Sequence, residues 1–318
     1  MKRTIISMFV ALLATVTVQA QQIAVVSGDE TTMYQTLAEA IEGAKSGSTI
    51  YLPGGGFQSN NVNIKKKLTI IGIGHKANGE NADGNTVISG NINYAEGSDG
   101  SSIMGCYISG DVVIGVGGDT GTTVNNILVK YCNLNSIQIK KSDCTGTIIN
   151  QNYIRSSSSC KSASVEFTNN VMNQLANVRG GFIKNNIIFP TSTNTSTLYY
   201  VESSTICYNI LGKTYVSSGG DVSDNMFPGD WGDNCINMSN KDWNDVFKTY
   251  NGGKISPASD FNFTEDYKEY SNIGIYGGNT KFNDSGMAPV PFIESKDIPD
   301  KTDAAGMLKI KIRVKASE

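Results

Sequence analysis

From Val87 to Phe227 the apolar positions recur in a six-residue phrase that opens and closes on an apolar side chain. It reads VISGNI at Val87–Ile92, IMGCYI at Ile103–Ile108, VKYCNL at Val129–Leu134 and INQNYI at Ile149–Ile154. It continues as FTNNVM at Phe167–Met172, IKNNII at Ile183–Ile188, ICYNIL at Ile206–Leu211 and VSDNMF at Val222–Phe227. A small or amide residue holds the fourth place: Gly90, Cys106, Cys132, Asn152, Asn170, Asn186, Asn209 and Asn225. Successive fourth places lie 16, 26, 20, 18, 16, 23 and 16 residues apart, and polar Ser, Thr, Gly, Asn and Asp fill the intervals. No unit carries a helical stripe, so the period fits a strand–turn repeat rather than a helical array. Such a strand buries its apolar face only when the chain coils and equivalent strands stack about 4.8 Å apart.

The fourth-place Asn has two mechanical uses. It tolerates left-handed backbone at a bend, and in register its amide can bond to the rungs above and below. Gly90, Cys106 and Cys132 are the other small residues that suit such a corner. Alternation sends the second places outward: Ile88, Met104, Lys130, Asn150, Thr168, Lys184, Cys207 and Ser223.

Across roughly residues 36–280 these ladders make the chain resemble the right-handed parallel β-helix of the pectate-lyase-like superfamily. The resemblance implies an all-β solenoid of nine or ten coils, with regular rungs from about residue 49 to 227. It does not imply an activity, because this fold hosts lyases, hydrolases, adhesins and passive stalks.

Taken in order, the chain starts with a secretory signal at Met1–Ala20: Lys2 and Arg3, an apolar centre Ile5–Val18, and a small-x-small cleavage site. Export follows from it, and no stop-transfer segment predicts a membrane span. A second unit, 21–288, holds the β-helix and its caps. Thr36 and Glu39 form a capping box for a helix whose Leu37, Ala40, Ile41 and Ala44 make an apolar stripe, as in an N-terminal cap. Asn272–Gly278 resembles a closing strand of the same class of fold, within a C-terminal segment expected to cover the other end. Residues 289–318 read as a proline-bearing linker and a terminal strand. In Leu308–Val314, Leu308, Ile310, Ile312 and Val314 alternate with Lys309, Lys311 and Arg313, which predicts a half-buried edge strand or a docking strand for a protein partner.

Charge and chemistry narrow the picture further. Without Lys2 and Arg3, 24 basic residues face 29 acidic ones, a net of −5, which argues against a nucleic-acid partner. Six cysteines in an exported chain predict at most one or two disulfides, with Cys144–Cys160 the first choice; no CxxC or Cys/His cluster suggests a metal site. Gly115–Gly121 has the glycines of a phosphate loop but lacks its Gly-Lys-Ser/Thr and reads as a turn. The single histidine, His75, reads as a surface-turn residue.

The expected function is therefore non-catalytic binding or scaffolding at a cell surface, with a polysaccharide or surface glycan as ligand and no cofactor. Tyr199, Tyr200 and Trp231 are the aromatic candidates for stacking on sugar, while Trp243 suits packing. The alternative is a lyase or glycoside hydrolase acting on a uronic-acid polysaccharide, with calcium as cofactor and Glu166 and Lys184 as catalytic candidates.

Overall fold

The computed structural model describes residues 22–76, 84–117, 120–162, 164–189, 197–212, 235–238, 242–251, 255, 257–297, 299, 301–302 and 305–316. The chain folds as a parallel β-solenoid of about seven turns. Three sheets run its length. Sheet A has ten strands, of which Glu30–Tyr34 and Ile23–Ser27 join antiparallel and the rest stack in parallel from Thr49–Leu52 to Thr205–Cys207. Sheet B has nine strands, from Gly55–Gln58 to Ile236–Asn237, and sheet C seven, from Asn63–Ile64 to Leu198–Glu202. Helix α1 (Leu37–Gly43) carries the expected reciprocal capping box and buries Leu37, Ala40 and Ile41 in the solenoid core. Among the described residues no helix is long and apolar enough to cross a membrane.

The six-residue phrase is the corner between sheets A and B. Its first place is the last inward residue of a sheet A strand (Ile103, Val129, Ile149, Phe167, Ile183, Ile206), and its sixth is the inward residue of sheet B (Ile108, Leu134, Ile154, Met172, Ile188, Leu211). The left-handed residue of this corner is the third place, not the fourth: Gly105, Tyr131, Gln151, Asn169, Asn185 and Tyr208 all have φ between 53° and 67°. That twist swings the fourth place into the core, where the amides bond along the axis. The backbone N–H groups of Cys132, Asn152, Asn170 and Asn186 each donate to the Oδ1 of the next Asn at 2.9 Å. Each Nδ2 donates back to a strand carbonyl, as Asn170 does to Ile149 at 2.8 Å and Asn209 to Ile183 at 2.8 Å.

Two members of the predicted ladder are displaced. Val87 pairs with Tyr107 and Ile88 with Ile108, so Val87–Ser89 belongs to sheet B while Ile92 opens the next strand, in sheet C; Ile88 points inward, and Gly90 lies at the corner between them. The matching sheet A strand is Thr69–Gly72, and Thr86 holds the corner, its hydroxyl accepting from Ile73 N–H at 3.0 Å. The residues inserted between Gly72 and Thr86 hide this register. At the other end Asn225 lies outside the described residues, and the position after Asn209 is filled by Cys235, whose sulfur accepts from Asn209 N–H at 3.3 Å. Counting Val87–Ile92 as a coil separate from Thr69–Gly72 adds a turn to the expected nine or ten, and Val222–Phe227 lies outside the described residues.

The C-terminal segment does not form a closing strand. Residues 272–288 run as an irregular strap lengthwise down the A–B corner, across successive turns. Gly274 N–H donates to Tyr208 O (2.9 Å), Asn185 Nδ2 to Asn272 O (3.0 Å), Asn169 Nδ2 to Ile275 O (2.8 Å), and Asn283 N–H to Gln151 Oε1 (2.7 Å). The strap thus reads the third-place residues in reverse order. It also covers the outward fifth-place row Tyr153, Val171, Ile187 and Ile210, which forms a second apolar cluster with Phe261, Ile273, Ile275 and Phe282.

The proline-bearing stretch is a strand, Pro291–Asp297, paired antiparallel with Lys311–Ala316. Pro291 stands at its first position, where no ladder N–H is required. Ile312 and Val314 are 55% and 59% exposed, so the terminal strand is not half-buried.

None of the six cysteines, all of them among the described residues, forms a disulfide, Cys144 and Cys160 included. Cys160 fills an inward place of sheet C beside Ile139, and burial pushes its thiol up to about 12. Buried thiols serve here as small apolar packing.

Two measurements test this account. Truncating Asn170 to Ala strands Asn152 N–H and the Ile149 carbonyl in the core, and should lower urea-unfolding stability by about 3 kcal/mol. Thiol titration of the unreduced protein in denaturant should return all six cysteines, whereas a Cys144–Cys160 bridge would leave four.

Candidate functional site: the open faces of the solenoid

With the later strands of sheet B covered by the strap and by residues 243–263, sheets A and C present the open faces. On sheet A the register stacks Met104, Lys130, Asn150, Thr168, Lys184 and Cys207 in one outward column, as alternation predicts. The adjoining column is Leu128, Ile148, Glu166, Phe182 and Thr205, with Ile148 and Phe182 exposed. Glu166 and Lys184 therefore stand on neighbouring turns, offset by one column. Asn150 Nδ2 donates to Thr168 Oγ1 (2.8 Å), and the Thr168 hydroxyl donates to Glu166 Oε1 (3.3 Å). The lysines lean towards corner tyrosines: Lys130 Nζ lies 4.6 Å from the Tyr131 ring centroid and Lys184 Nζ 5.3 Å from that of Tyr208. Among the described residues Glu166 makes no ion pair, and no three His, Cys, Asp or Glu side chains converge as metal ligands.

Sheet C carries a groove. Leu175–Arg179 (LANVR) lies beneath Leu198–Glu202 (LYYVE) in register, pairing Ala176 with Tyr199, Val178 with Val201 and Arg179 with Glu202. Between the first two pairs, Asn177 (φ 56°) and Tyr200 (φ 49°) are both left-handed. Asn adopts that conformation readily; a bulky residue there is strained. The doubled left-handed position lets Tyr199 and Tyr200 share one side of the sheet, in a T-shaped pair with centroids 4.2 Å apart. The hydrogen bond that Tyr200 makes with Tyr199 raises the Tyr200 phenol above its ordinary value.

Asn177, Val178, Arg179, Tyr200 and Glu202 enclose a shallow groove of about 290 Å³. Arg179 Nε stands 3.9 Å from Glu202 Oε2, leaving the floor without net charge and with donors and acceptors side by side. Asn177 Nδ2 is fixed on Ser159 Oγ at 2.9 Å. A larger hollow of about 380 Å³ separates the terminal hairpin from the first turns, but aliphatic side chains such as Leu52, Ile71, Val290 and Val314 dominate its lining.

The tyrosine doublet is thus brought together as a wall, while Trp231 lies outside the described residues. Trp243 packs against Phe189 with centroids 4.4 Å apart. Arg179 and Asn177 escaped the sequence reading. Their signal is a second phrase, L-x-x-V followed by a charge, which repeats only once. His75 is not a surface residue: it is 4% exposed, and burial lowers its imidazole to about 4.

Compared with known proteins, the chain matches no family profile, no curated protein and no solved structure.

Proposed function

We propose that this is an exported, non-catalytic glycan-binding protein of the cell surface, whose solenoid belongs with the right-handed pectate-lyase-like helices. The observation that carries the reading is the left-handed Tyr200, held at the lip of a groove with Arg179, Glu202 and Asn177. Backbone strain of this kind persists where the surroundings over-determine it, and it concentrates at binding sites. An aromatic wall beside paired donors and acceptors is the chemistry that sugar rings and their hydroxyls require. The uncharged floor favours neutral glycans over polyuronates, which the net acidity of the mature chain also repels. The N-terminal signal supports export, and the amide ladder with its left-handed third place supports the superfamily assignment.

Tyr200→Asn tests the reading cleanly, because the fold already uses Asn at the equivalent place one turn earlier. On a glycan array, wild-type protein should be retained on neutral glycans and the variant should bind at least about tenfold more weakly. Equal retention of the two proteins, or none by wild type, would sink the proposal. Incubation with uronic-acid polysaccharides, with and without calcium, should yield no unsaturated product; absorbance from such product would move the site to Glu166 and Lys184.

A further inference from the structure

We propose that the strap is an acid-released latch: protonation of His75 drives residues 282–288 off the flank of the solenoid and uncovers the Tyr153 end of the apolar row beneath. His75 follows the sheet A strand Thr69–Gly72 and is wedged between solenoid and strap. Its ring meets Tyr153 edge-on with centroids 5.5 Å apart, and Tyr153 in turn meets Phe282 of the strap at 5.1 Å. Gly286, at φ +62°, lies so close on the imidazole that a Cβ there would collide with Nε2 and Cδ2. Neither ring nitrogen has a hydrogen-bond partner among the described residues. A slot of this kind accepts a neutral ring and rejects a charged one.

Among the described residues no carboxylate bonds the His75 ring. Its own turn contributes Lys76, of the same sign. The solenoid contributes Tyr153, a phenol that burial keeps neutral. The strap contributes Asp284, whose carboxyl accepts the Tyr276 hydroxyl at 2.7 Å. Burial raises Asp284 above the usual carboxylate range, and Asp260 raises it further, so it too becomes neutral as pH falls. The amide bonds of Asn169 and Asn185 to the strap do not titrate, which confines the release to the end near His75.

Burial holds His75 at about 4, while a released ring in water returns to its ordinary 6.5. The released form thus binds the proton that the docked form refuses. Docking is at full strength above about pH 6.5 and weakens as pH falls, by roughly a hundredfold near pH 4.

Hydrogen exchange on the full chain, corrected for intrinsic rates, tests this at about pH 7 and about pH 4. Wild-type protein should lose protection at 282–288 by roughly a hundredfold, while the strands around Asn152 and Asn170 keep theirs. His75→Phe, which fills the slot without titrating, should hold the strap at both pH values, and His75→Leu serves the same comparison if Phe fails to fold. Unchanged strap protection in wild type, or an equal loss in the non-titrating variant, would overturn the latch.

Discussion

The structure depends on a buried row of amides that must be satisfied completely. Polar side chains inside an apolar core are tolerated only when donors and acceptors are all paired, and the corner asparagines pair theirs between turns. The requirement sets the register of each coil to the residue, because a shift of one place would send the amide out and an outward side chain in. It also dictates the left-handed third place, since that twist lets the fourth place turn inward. The remaining architecture follows in sequence. The third-place side chains are left facing outward at the corner, where Asn169, Asn185 and Gln151 hold the strap. The strap and residues 243–263 close the later strands of sheet B, and ligand chemistry is left to the faces of sheets A and C.

Much of this was legible along the chain because the phrase carries its own register. The apolar first and sixth places and the fourth-place amides mark strand, corner and strand without reference to anything distant. What failed to show is equally physical. Val87–Ile92 imitates the phrase by composition, and only pairing of Ile88 with Ile108 places it in the other sheet. Tyr131 and Tyr208 do not look like left-handed residues, so the pattern points instead to the fourth-place residues that follow them, Cys132 and Asn209. The strap has no period at all; its partners are side chains far back in the sequence. His75 looked like a surface turn because the glycine that buries it belongs to that strap.

The groove was half legible. A tyrosine doublet can be seen in a sequence, whereas the neighbours that give it chemistry come from the strand one turn below. Arg179 and Glu202 meet only because LANVR and LYYVE stack in register, and two copies of a phrase are too few to stand out. Binding chemistry on a solenoid is vertical, distributed over turns, while sequence reading runs along each turn.

The direction of the amide row has a consequence for the length of the molecule. Each corner N–H donates to the oxygen of the turn that follows, so every asparagine creates a demand that only another turn can meet. Cys235 receives that demand with sulfur, a weak acceptor. In the language of polymer growth, each amide passes the demand on, so the number of amide-linked turns is written into a handful of corner residues rather than into the sheets.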